Sequence, residues 1–123
     1  MKTIQGEKLS VCLDLFSDSI ANLGAINGVL EMADKKGELT REMEELIDRY
    51  LKNIKDFVRD LFRHNCINSS TRKSLLDGVE SLKEWIERDK ETREFTFGSL
   101  EECTLLIDEF EDALEEFTKN VLE

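Results

Sequence analysis

Carboxylates are the most abundant reactive groups of this chain, and they crowd its last quarter. Residues 99–123 hold nine acids (Glu101, Glu102, Asp108, Glu109, Glu111, Asp112, Glu115, Glu116 and Glu123) and one base, Lys119. The other 98 residues hold 19 acids and 16 bases, so most of the formal net charge of −11 lies in that segment. Side chains of this kind could hold a divalent metal, exchange protons, or present a negative surface to a basic partner.

Metal chemistry needs a defined donor set. Glu109/Asp112 and Glu42/Glu45 have the E-x-x-D and E-x-x-E spacing of helical magnesium-dependent nucleotide hydrolases, but 28 acids in 123 residues produce such matches by chance. Carboxylate-bridged di-iron bundles require Glu-x-x-His pairs, and His64 is the sole histidine. No D-x-D-x-D-G calcium loop occurs. A phosphotransfer histidine would lie within a helix, followed at the third and fourth positions by Lys and Gly; here those positions are Ile67 and Asn68. Cys66 lies two residues from His64 at a predicted helix end, where the pair is poorly oriented to share a proton. Without a glycine-rich phosphate loop or a serine elbow, the expectation is a protein that is not an enzyme and uses no cofactor or metal.

The three cysteines, Cys12, Cys66 and Cys103, are odd in number and form no C-x-x-C motif. They read as reduced thiols in a cytoplasmic protein, with Cys12 and Cys103 in the core. The N-terminus has no stretch resembling a secretory signal, and no run of 18 apolar residues suggests a membrane span.

The elements that carry these residues are helical. Proline is absent, which permits long uninterrupted helices. Apolar residues recur at i, i+3, i+4 and i+7 in four segments, roughly 7–34, 40–64, 71–90 and 99–122. In the first, a main stripe runs through Leu9, Cys12, Leu13, Phe16, Ile20, Leu23 and Leu30. Lys35, Lys36 and Gly37 supply its stop. The second, capped by Thr40, has the cleanest stripe, from Met43 to Leu61. Glu45/Arg49 and Asp48/Lys52 are spaced to pair along it. The third buries Leu75, Val79, Leu82 and Ile86, with Trp85 at the edge. The segment 91–98 reads as a loop whose Phe95 and Phe97 plug the end of the bundle. Ser99-x-x-Glu102 has the form of a capping box for the fourth. Short connections between four helices predict a single all-α domain over 1–123, an antiparallel four-helix bundle.

Two surfaces stand out. On the fourth helix Glu101, Asp108, Asp112 and Glu115 fall opposite the core stripe, with Leu105 among them. Asp108/Asp112, Glu111/Glu115 and Asp112/Glu116 are like-charge pairs at i, i+4, each unfavourable by a few tenths of a kcal/mol. Such a face repels nucleic acid and anionic membrane and attracts basic protein surfaces. The candidate partner-binding residues are therefore Glu101, Leu105, Asp108, Glu109, Glu111, Asp112, Glu115 and Glu116. The bland alternative is a solvated face that maintains solubility.

The second surface lies on the first helix, which carries no charge from Ser19 to Leu30 and has Val11, Leu15, Ile26 and Val29 off its main stripe. Ala21, Gly24, Ala25 and Gly28 run between the two apolar sets. Two interior glycines each cost about 1 kcal/mol relative to alanine, which close backbone approach could offset. This helix is expected to be either the central element of the bundle or a self-association face forming a homodimer. The leading functional expectation is an acidic interaction protein that docks on a basic surface, in its strongest form a nucleic-acid-mimicking inhibitor of a DNA- or RNA-binding protein, of the kind phages and mobile elements encode. The alternatives are a self-associating structural or adaptor subunit and, behind it, a carboxylate-metal hydrolase.

Overall fold

Each predicted stripe folds as a helix whose ends are set by local chemistry. The computed structural model describes residues 2–122, with side chains from Gly6 onward. The helices are α1 (Lys2–Lys36), α2 (Arg41–Arg63), α3 (Ser69–Thr92) and α4 (Ser99–Leu122). α1 ends where Gly37 takes φ 76° and its amide bonds back to Ala33 O at 2.9 Å. Thr40 caps α2 by accepting from the Met43 amide, and Asn68 caps α3 by accepting from the Thr71 amide. Between them, Asn65 adopts a left-handed conformation, φ 61°. The Cys66 amide then reaches Leu61 O at 2.8 Å and the Asn65 amide Phe62 O at 3.0 Å, the paired bonds of a Schellman turn.

The helices close a four-membered ring: α1 packs on α2 and α4, α3 packs on α2 and α4, and neither diagonal pair is in contact among the described residues. Cross-links between neighbours run antiparallel. Glu44 of α2 meets Lys90 of α3 at 2.5 Å, while Lys55 meets Glu80 at 2.6 Å. Phe16 of α1 packs against Phe117 of α4 in a tilted arrangement with ring centroids 6.0 Å apart, and further along, the Cys103 thiol donates to Leu23 O at 3.3 Å.

Several details differ from expectation. α1 has helices on two sides, as each of its neighbours does, so it occupies a corner rather than the centre. Its core face, Cys12, Phe16, Ser19, Leu23, Ile26, Leu30 and Ala33, lies between the two predicted stripes, because one helix must serve two neighbours. Leu13 consequently turns outward, 39% exposed. Ser19 is tolerated in the core because its hydroxyl donates to Leu15 O at 2.7 Å. By length and composition alone, α1 between Gly6 and Lys36 could cross a membrane, although no uninterrupted apolar run marks it; in the structure its buried residues face α2 and α4, while Val11, Leu13 and Met32 are exposed. Glu45 pairs with Arg41 at 3.4 Å rather than with Arg49. Phe95 plugs the bundle end as expected, but Phe97 is 87% exposed. The capping box is absent: the Ser99 hydroxyl donates to Asp89 Oδ2 at 2.7 Å, and Glu102 accepts from Ser81 at 3.3 Å.

Cys12 and Cys66 are joined by a disulfide with Cα atoms 5.6 Å apart. The Schellman turn points Cys66 into the bundle end, where Cys12 faces it from α1. The reduced-thiol expectation is thus overturned for these two residues. Stable bridges form under oxidising conditions, so the cysteines no longer argue for the cytoplasm. Cys103 is free and buried, and burial pushes its thiol up to about 12.

Candidate functional site

The acids of α4 reach solvent because its apolar positions claim the inward side. Cys103, Leu106, Phe110, Ala113 and Phe117 are buried. The predicted partner-binding residues Glu101, Asp108, Glu109, Glu111, Asp112, Glu115 and Glu116 are all exposed, and Leu105 is 52% exposed among them. Glu123 lies outside the described residues. Helical geometry brings the group onto one continuous surface in three strips. Glu102, Glu109 and Glu116 border the α3 groove, Asp108, Asp112 and Glu115 face outward with Glu101, and Glu111 borders the α1 groove.

Few counter-charges answer them. Among the described residues, one α4 acid takes part in an ion pair, Glu115 with Lys119 at 3.5 Å, both about two-thirds exposed. The other ion pairs of the described residues lie on α2 and α3. Where α3 faces α4 it offers mostly small polar residues: Ser70, Ser74, Gly78 and Ser81 line the groove with Lys73, Asp77, Glu102 and Glu109. Glu109 lies over the bare backbone of α3, its Oε2 3.1 Å from where a Cβ on Gly78 would stand. Although the residue is exposed overall, its carboxyl is held above the usual carboxylate range, first by partial desolvation against α3 and then by the charges of Glu102 and Asp112.

A test in solution follows from the signs. A raised carboxyl pKa disfavours the charged form in the folded state. That penalty is complete above the folded pKa and fades as pH falls through it toward the unfolded value. Glu80 acts in the opposite sense: its hydrogen bond to Lys55 holds it below the usual range, so its stabilisation is lost only as pH drops beneath the ordinary carboxylate pKa. The melting temperature should therefore rise as pH falls from 7 toward the ordinary carboxylate value of 4.5 and fall below it, and at pH 7 it should rise with salt, which screens repulsion on α4. A steady fall from pH 7 to 5.5 with no gain from salt would mean that the acids are paired.

The metal constellations are not assembled. Glu109 and Asp112 lie on α4, Glu42 and Glu45 on α2, and these helices are diagonal and out of contact. Among the described residues, no group of three or more His, Cys, Asp or Glu side chains is placed to hold a metal ion. His64 is exposed at the C-terminal cap of α2. The predicted self-association residues lie on the outside of α1: Ala21, Gly24 and Gly28 are exposed and Ala25 half-buried. A Cβ on Gly24 or Gly28 would meet nothing within 4 Å, so neither glycine serves packing within the bundle. Sequence reasoning missed Asp89, a buried carboxylate at the joint of α3 and α4; it continues the spacing of Leu75, Val79, Leu82 and Ile86, which was the available signal. Compared with known proteins, the chain matches no family model, no curated protein and no solved structure.

Proposed function

We propose that this protein is a non-enzymatic interaction protein whose acidic α4 face docks on a basic protein surface. The observation that carries this reading is the near-absence of counter-charges on α4, whose eight described acids share one ion pair. A helix under selection for stability alone would intersperse bases, as α2 does. In its strong form, the carboxylates occupy a nucleic-acid site in place of phosphates, and the partner is a DNA- or RNA-binding protein.

The test is Asp108→Lys/Asp112→Lys/Glu115→Lys. All three side chains are exposed, and the Glu115–Lys119 ion pair that the change removes is worth at most about 1 kcal/mol. Local charge changes by six units, so steering becomes repulsion. Binding to a basic partner captured from host extract at low salt should fall by about 10–1,000-fold, mainly through the association rate. Wild-type capture should weaken steeply with salt, and duplex DNA should compete for the partner if the strong form holds. Equal capture by wild type and triple variant would leave α4 a solubility device.

A further inference from the structure

Beside the acidic face runs a groove between α4 and α1 with a different lining. Ile20 forms its α1 wall, and Leu114, Thr118 and Leu122 its α4 wall, with Glu111 and Glu115 on the rim. Leu13, two turns before Ile20 and on the same side of α1, extends the apolar strip toward Leu122, which is 74% exposed. Ala21 and Gly24 lie beyond the Ile20 end of the groove, and the α1 stretch beside it, from Leu13 to Ile20, includes Asp14 and Asp18. The groove thus has an apolar floor and an acidic wall over α4. Lys119 lies in it as well, paired with Glu115.

Resting on the acidic docking function proposed above, we infer that this groove receives an amphipathic helix of the partner, with an apolar ridge set between α1 and α4 and Lys or Arg on the flank over α4. Two packed helices leave a furrow along their axes into which a third can lay its side-chain ridge. Charge complementarity selects the occupant: Glu111 and Glu115 at the rim, continuous with Asp108 and Asp112, favour a basic flank on that side. The same charges oppose a second copy. Two molecules joined through this groove would bring two α4 faces, each with eight described acids and one base, against each other.

The experiment uses the full-length protein and two synthetic peptides of identical Lys/Leu composition, one with leucines at i, i+3, i+4 and i+7 and one scrambled to spread them around the helix. The amphipathic peptide should bind at least tenfold more tightly by fluorescence anisotropy. Leu13→Gln/Leu122→Gln should remove that preference while leaving binding of the scrambled peptide unchanged. Both positions are exposed, so melting temperature should hold. Equal binding of the two peptides, or a preference that survives the groove substitutions, overturns the groove and leaves the acidic face as the docking surface. If neither peptide binds, the acidic docking function fails together with the groove. A dimer of the protein alone in sedimentation equilibrium, dissociated by Gly24→Leu, overturns the inference in favour of self-association.

Discussion

Opening the Cys12–Cys66 bridge should lower the melting temperature by on the order of 10–20 °C. The bridge closes 54 residues of sequence separation, spanning most of α1, all of α2 and the turn into α3. Confining the unfolded chain in a loop of that length corresponds to about 4 kcal/mol in the chain-entropy model, which for a domain of this size gives the shift stated. Both half-cystines are buried, Cys12 fully and Cys66 to 6% exposure, so Cys12→Ala/Cys66→Ala is cleaner than serine, which would add buried hydroxyls. Wild type with reductant and the double-alanine variant without it should melt within a few degrees of each other. Cys103 does not confuse the result. Its thiol is buried with its pKa pushed to about 12, leaving almost no thiolate to attack the bridge. Thiol titration should find one free cysteine in unreduced, unfolded protein and none accessible in the native state. Three free thiols would show the bridge to be absent, and an unchanged melting temperature would show that it contributes no stability.

The helices were legible because each has a strong local cause. The stripe of α2, its Thr40 cap and the Gly37 stop are short-range signals, and they appear within a residue or two of the predicted positions. The acidic surface of α4 was legible for a related reason: opposite a buried stripe, a charged side chain has only solvent to face. What remained hidden depends on residues distant in sequence. The cysteine pairing requires the turn at Asn65 to bring Cys66 under α1. The rotation of α1 depends on its having two neighbours, which exchanges Ile26 for Leu13 in the core. Which phenylalanine of the α3–α4 loop turns inward is decided in part by Asp34, whose carboxylate accepts the Phe95 amide at 3.0 Å and the Thr96 hydroxyl at 3.2 Å. Asp34 reads in sequence only as an acid near a helix end. The groove beside α4 was invisible because its two walls come from opposite ends of the chain.

Asp89→Ala should destabilise the bundle by about 3 kcal/mol, the largest effect expected of a single substitution outside the apolar core. Asp89 ends the buried stripe of α3 at 5% exposure. One of its oxygens, Oδ2, accepts the Ser99 amide at 2.6 Å and the Ser99 hydroxyl at 2.7 Å. It thereby closes the N-terminus of α4 from another helix, where a carboxylate also suits the helix dipole. Alanine would leave two buried donors without their partner. Asp89→Asn keeps an acceptor oxygen and loses only the charge, so about 1 kcal/mol is expected. Gly98 belongs to the same arrangement: a Cβ there would overlap both carboxylate oxygens of Asp89. Gly98→Ala should therefore destabilise by roughly 1–3 kcal/mol through overpacking. The two changes should not add. Once Asp89 is alanine, the methyl at position 98 has no carboxylate to strike, and the double variant should melt close to Asp89→Ala alone, a coupling of about 1 kcal/mol or more. Chemical denaturation of the four proteins of this cycle measures that coupling directly. Strict additivity would show that Gly98 is required for some reason other than the space Asp89 occupies, and a neutral Asp89→Ala would mean that α4 does not depend on α3 for its first turn.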